Sequence, residues 1–220
     1  LLFLRILQGI IFEASLRDQM GMTDVPIDVA YEVLVNFLGW LAIISLFLLP
    51  MLSMGLYTEE RKRGTLELLA TSPVTNWAVA LGKLLGVLTF FITMIVPLMV
   101  YEAIALSAAD PPMSPKIMLL GHFGLILMAA AVLSLGMFIS SLTDSTVLSA
   151  ILTFVLMVVL LIVNWLAENI SGPIGDGLNH LSLLRHYGNL AQGVIDSSSI
   201  ILFLSYLMLG LFLTAQSVEL

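Results

Sequence analysis

Tyr57-Thr58-Glu59-Glu60-Arg61-Lys62-Arg63-Gly64-Thr65-Leu66-Glu67-Leu68-Leu69-Ala70-Thr71-Ser72-Pro73-Val74 separates two long segments that are almost free of charge. Before it, residues 33–56 contain no Asp, Glu, Lys or Arg; after it, residues 77–100 contain only Lys83. Each segment exceeds the about 20 apolar residues needed to cross roughly 30 Å of hydrocarbon. The charged stretch therefore reads as a water-facing joint between two membrane helices. Its own residues carry three adjacent cations and three carboxylates, the pattern of a short soluble helix made to touch a partner.

Working outward, the same reading extends over the whole chain of 220 residues, which is 60% hydrophobic and 10% charged. Soluble domains carry about 25% charged residues, and so few charges could not solvate a globule of this size. The chain reads as one all-α integral membrane domain over residues 1–220. Its spans fall at residues 1–12, 33–56, 77–100, 117–142, 146–167 and 197–218. The first is too short alone and reads as the tail of a span completed upstream, which makes six transmembrane helices. Pro50 and Pro97 are expected to kink or end the regular part of their helices, and Lys83 to snorkel to the interface.

The connections are polar. Residues 13–32 read as an acidic, water-facing loop, and residues 107–116 as a turn-rich one. Thr143-Asp144-Ser145 is a turn so short that its flanking helices must be antiparallel neighbours, with Asp144 or Thr143 able to cap the second. Over residues 178–195, Leu178, Leu181, Leu184, Tyr187 and Ala191 recur every three to four positions. Asn179, His180, Arg185, His186 and Asn189 fill the other face. This predicts a single amphipathic helix at the membrane interface. The positive-inside rule places the Arg61-Lys62-Arg63 loop in the cytoplasm and the amphipathic segment outside.

Several chemistries are excluded or weak. A net charge of −7 argues against nucleic acid as a partner. No cysteine is present, which removes disulfides and thiolate sites. His122, His180 and His186 lack metal-ligand spacing, so no metal or cofactor is expected in the chain. No phosphate-binding loop occurs: Gly172, Gly175 and Gly177 have no following Lys. Glu102, behind Pro97 and Tyr101, is the one candidate pathway acid; the alternative is that it reaches the headgroups. Arg5 would need pairing if it lies in mid-membrane. Gly82-x-x-x-Gly86 permits close helix contact, inside the bundle in preference to a dimer seam. Trp40, Trp77 and Trp165 read as interface-belt residues.

At Glu59-Glu60-Arg61-Lys62-Arg63-Gly64-Thr65-Leu66-Glu67-Leu68-Leu69-Ala70-Thr71-Ser72-Pro73-Val74, followed by Leu81-Gly82-Lys83, the sequence resembles the permease subunit of type-2 ABC transporters. The gliding-motility branch is the nearest in pattern: acidic, basic, Gly-Thr-Leu-Glu-Leu-Leu, a Thr-Ser-Pro turn, then Gly-Lys. Leu181–Asp196, around Leu184-Arg185-His186-Tyr187 and Gly193-Val194-Ile195-Asp196, is similar to that branch's segment before its last span. The resemblance implies a permease, an exporter in the bacterial inner (plasma) membrane, paired with a second copy or a paralogue. It implies a separate cytoplasmic ATPase that carries the ATP and Mg²⁺, so the chain itself is not an enzyme. It implies docking through residues 57–76, with Glu59, Glu60, Arg61, Arg63, Gly64, Thr65, Leu66, Glu67, Leu69, Ser72 and Pro73 as the coupling residues. Thr65 to Ala70 would form the short coupling helix, leaving Glu59, Glu60 and Glu67 in water. Rival readings are a structural or assembly subunit of a larger membrane complex, an intramembrane enzyme, and an ion-coupled carrier.

Overall fold

The computed structural model describes residues 2–20, 28–65, 74–109, 113–170 and 172–219. Among them are nine helices and no strand: α1 (Leu2–Gln19), α2 (Val29–Ser53), α3 (Thr58–Lys62), α4 (Asn76–Ser107) and α5 (Pro115–Ser141) come first. They are followed by α6 (Thr146–Asn169), α7 (Pro173–Leu181), α8 (Leu183–Ala191) and α9 (Ser197–Glu219). Five segments are long and apolar enough to cross a membrane; they contain α2, α4, α5, α6 and α9. The helix α1 does not meet that standard within the described residues.

The bundle is built around α5. In its most apolar window 72% of the residues are buried, against 22% in α4 and 17% in α6, so α5 is the axis and the other two form the rim. Small residues allow this. Ala129, Ala130, Ala131, Ser134 and Gly136 give α5 a thin waist, so that neighbouring backbones can approach closely. At Gly210 of α9, an added Cβ would stand 2.5 Å from the Ser134 carbonyl carbon. At Gly136 it would stand 2.7 Å from Ser53 Cβ of α2. Ser134 Oγ also donates across the seam to the Tyr206 carbonyl at 3.3 Å.

Several local expectations change. Residues 13–32 do not form one loop: α1 continues through Glu13 and Arg17, which pair at 2.7 Å, and α2 already includes Glu32. The Asp28 side chain caps α2 by accepting from the Tyr31 amide, which fixes that start. Helix α4 runs unbroken past Pro97 to Ser107. The N-cap of α6 is Ser145, whose hydroxyl accepts from the Leu148 amide, whereas Asp144 and Thr143 serve other partners. Nothing among the described residues lies within 4 Å of a Cβ at Gly82 or Gly86, so that pair makes no close packing contact with them. Trp40 falls near the middle of α2, while Trp77 and Trp165 lie close to helix ends.

The expected single helix over 178–195 is two helices with a break at Ser182. The Ser182 hydroxyl donates to the Asn164 side chain on α6 and also accepts from the Arg185 amide, capping α8. A serine that bonds sideways and caps forward ends one helix and starts the next. Helix α8 then turns its apolar face inward: Leu183, Tyr187, Leu190 and Ala191 are buried, and the Tyr187 hydroxyl donates to the Leu38 carbonyl at 2.9 Å.

Candidate functional site: the charged joint and the buried carboxylate

The end of α2, the helix α3, the start of α4 and the turn between α5 and α6 meet at one end of the bundle. Their meeting is a network of hydrogen bonds. Ser140 Oγ accepts from the amides of Tyr57 (3.0 Å) and Thr58 (3.2 Å) and donates to the Met54 carbonyl at 2.9 Å. A single hydroxyl of α5 thus satisfies two free amides at the start of α3, which has no side-chain cap of its own. The Thr58 hydroxyl returns a bond to Met54 at 2.7 Å.

Two cations, Arg61 and Lys83, bind inward as well. Arg61 Nη1 donates to the Ser141 carbonyl at 2.7 Å, and its Nε stands 3.3 Å from Asp144 Oδ1. Lys83, on the second turn of α4, donates to the Leu56 carbonyl and to Glu60 Oε1, each at 2.6 Å. Its ammonium also lies 4.7 Å from the centre of the Tyr57 ring. The Lys83 and Glu60 side chains are only 19% and 29% exposed. The expected snorkelling lysine is therefore a tie between α3 and α4, and Glu60 is engaged within the chain instead of standing free in water. Glu59 and Asp144 are the exposed carboxylates here, Glu59 standing 3.7 Å from Arg63. Gly64 takes φ +68°, and the amides of Gly64 and Thr65 return to the Arg61 and Glu60 carbonyls. This is a left-handed helix exit that a side chain would strain. Leu66, Glu67, Leu69, Ser72 and Pro73, with all of the expected coupling helix beyond Thr65, lie outside the described residues.

The second cluster was half legible. Glu102 does not reach headgroups: it is 0% exposed on α4, with Oε2 3.3 Å from Nε2 of His122 on α5, itself 1% exposed. Neither carboxylate oxygen of Glu102 nor Nε2 of His122 makes a hydrogen bond of good geometry. His122 Nδ1 is held by the Met118 carbonyl at 3.0 Å. The two groups are buried side by side, where a net charge left on either one alone would be costly. The sequence signal missed was His122 itself, read as an interfacial polar group. Arg5 is exposed and makes no ion pair among the described residues.

No group of three or more His, Asp or Glu among the described residues is arranged to hold a metal ion. The fold and the joint define a multi-pass helical membrane protein whose charged residues tie helices together. Residues 12–216 match the family of ABC-2 family transporter proteins, and the chain belongs to that family. The family is a membrane transport component and is not itself catalytic. No curated protein and no solved structure matches the chain.

Proposed function

We propose that the chain is the permease subunit of an ATP-driven ABC transporter, an exporter of the gliding-motility-like branch in the inner (plasma) membrane of a bacterial-type cell. A separate cytoplasmic ATPase binds ATP and Mg²⁺ and docks on residues 57–76, and a second copy or a paralogue completes the transport path. α1 belongs to a sixth span, and the joint end of the bundle is the cytoplasmic one.

The observation that carries this reading is the network around Ser140. A displacement of α3 is transmitted to α4 through Glu60 and Lys83, and to the α5–α6 turn through Arg61, Ser140 and Ser141. Three long helices, α4, α5 and α6, are thereby moved from one short helix. Such a joint suits a partner that delivers mechanical work at this end. Glu59, exposed and held only by a loose pair with Arg63, is the described carboxylate best placed to meet a partner's cation.

The test is a charge reversal at Glu59, alone and with Glu67, in the complex isolated from native membranes. Loss of the co-purifying ATPase, with the helical content and monodispersity of the membrane subunit kept, is the expected result. Full retention of the ATPase by the doubly reversed variant would overturn docking through this stretch. The assembly-subunit reading predicts no ATPase in the wild-type preparation.

A further inference from the structure

At the other end of the bundle, α7, α8 and the first turn of α9 enclose an open polar bowl of about 340 Å³. It is lined by Asp176 and His180 of α7, Arg185, His186 and Asn189 of α8, and Asp196 just before α9. We propose that this bowl binds a ligand bearing a primary ammonium and a phosphate, as in an ethanolamine phospholipid headgroup or free phosphoethanolamine.

Four observations support the assignment. The bowl brings both signs of charge together without pairing them: no ion pair of Arg185, Asp176 or Asp196 occurs among the described residues. His186 is 5% exposed, its Nδ1 is fixed 2.8 Å from Ser199 Oγ, and its Nε2 is buried without a hydrogen-bond partner. A buried polar atom of that kind costs free energy unless a partner meets it. No Trp, Tyr or Phe is among the described lining residues, so the aromatic cage that suits a quaternary ammonium is missing. Carboxylates instead accept hydrogen bonds, which favours an ammonium with N–H donors. Lastly, Leu181, Val194 and Ile195 stand exposed in the segments that bear the bowl, apolar surface suited to acyl chains.

Arg185 would take the phosphate, Asp176 and Asp196 the ammonium, and His186 Nε2 a phosphate or ester oxygen. The volume holds such a headgroup with water to spare. The inference does not depend on the ATPase or on the direction of transport.

The experiment is native mass spectrometry of the purified chain released from nanodiscs containing equal amounts of ethanolamine, choline and glycerol phospholipids of identical acyl chains. Retention of the ethanolamine lipid about tenfold over the other two, reduced to parity in Arg185→Gln and in Asp196→Asn but kept in Arg185→Lys, is expected. Both altered positions are on the surface or partly so, and an unchanged thermal midpoint in lipid-free detergent shows that the variants are folded. Soluble phosphoethanolamine is then titrated: displacement at millimolar concentration identifies the free zwitterion as a ligand, and no displacement assigns the site to the lipid. Equal retention of the three lipids, with no protection of the thermal midpoint by phosphoethanolamine, would overturn the proposal. So would selective retention unchanged in both charge-removing variants.

Discussion

Replacing Gly210 with Ala tests the packing on which the bundle axis rests. The new Cβ would meet the Ser134 carbonyl carbon and Oγ at 2.5 Å and the Ser134 carbonyl oxygen at 2.7 Å. Ordinary contact begins near 3.4 Å, so α9 must move off α5 by close to 1 Å. Turning the Ser134 hydroxyl aside does not help, because two of the three nearest atoms are backbone, and α5 is packed on every side. Overpacking of this kind costs about 1–3 kcal/mol, offset by up to about 1 kcal/mol of helix propensity gained over glycine. The separation also lengthens the bond from Ser134 Oγ to the Tyr206 carbonyl, already 3.3 Å. A net loss of about 1–2 kcal/mol follows. It is read as a lowered midpoint in reversible unfolding from mixed micelles, with Gly82→Ala beside it. Gly82 has nothing within 4 Å of its Cβ, so that variant keeps only the propensity gain. If Gly210→Ala were as stable as Gly82→Ala, the close approach of α9 to α5 would be refuted.

Three further outcomes are expected. Removing His122 alone or Glu102 alone by substitution with Leu should destabilise the bundle more than removing both, since each single change leaves one buried polar group without its partner. A double-mutant cycle should show a coupling of about 1 kcal/mol, within the range for polar contacts between membrane helices. Lys83→Met strands Glu60, whose Oε2 is already buried without a partner. It should cost about 1–3 kcal/mol, and Glu60→Met in the same chain should recover part of that in the same unfolding assay. Burial holds the His186 imidazole below its ordinary value of 6.5, against the smaller upward pulls of the His180 backbone carbonyl and then of the nearby Asp196. Folding therefore favours the neutral ring: the unfolded chain binds more protons, and stability falls as pH drops below about 6.5. His186→Asn should flatten that part of the pH–stability curve.

The long helices were legible because uninterrupted apolar length is a strong signal. Residues 146–167 read as a span, and α6 runs Thr146–Asn169. What remained hidden was set by tertiary partners. The break at Ser182 cannot be seen in a periodicity that continues through it; it depends on Asn164, eighteen positions earlier on another helix. Lys83 looks like a snorkelling lysine until Glu60 and the Leu56 carbonyl are brought beside it by the fold. His122 has no local signature of pairing, because its partner Glu102 lies across a helix–helix contact. Conversely, Gly82 and Gly86 carry the spacing of a packing motif yet meet nothing close among the described residues. The charged stretch was recognisable as a joint from its sequence. Which of its charges hold the joint together, and which stay exposed, required the geometry.

The most direct test of the account is the composition of the complex purified from native membranes in mild detergent, weighed by native mass spectrometry. The account predicts a dedicated ATPase subunit in stoichiometric amount, with two membrane subunits of this family per particle. Recovery of unrelated membrane subunits in fixed proportion, with no ATPase, would contradict it.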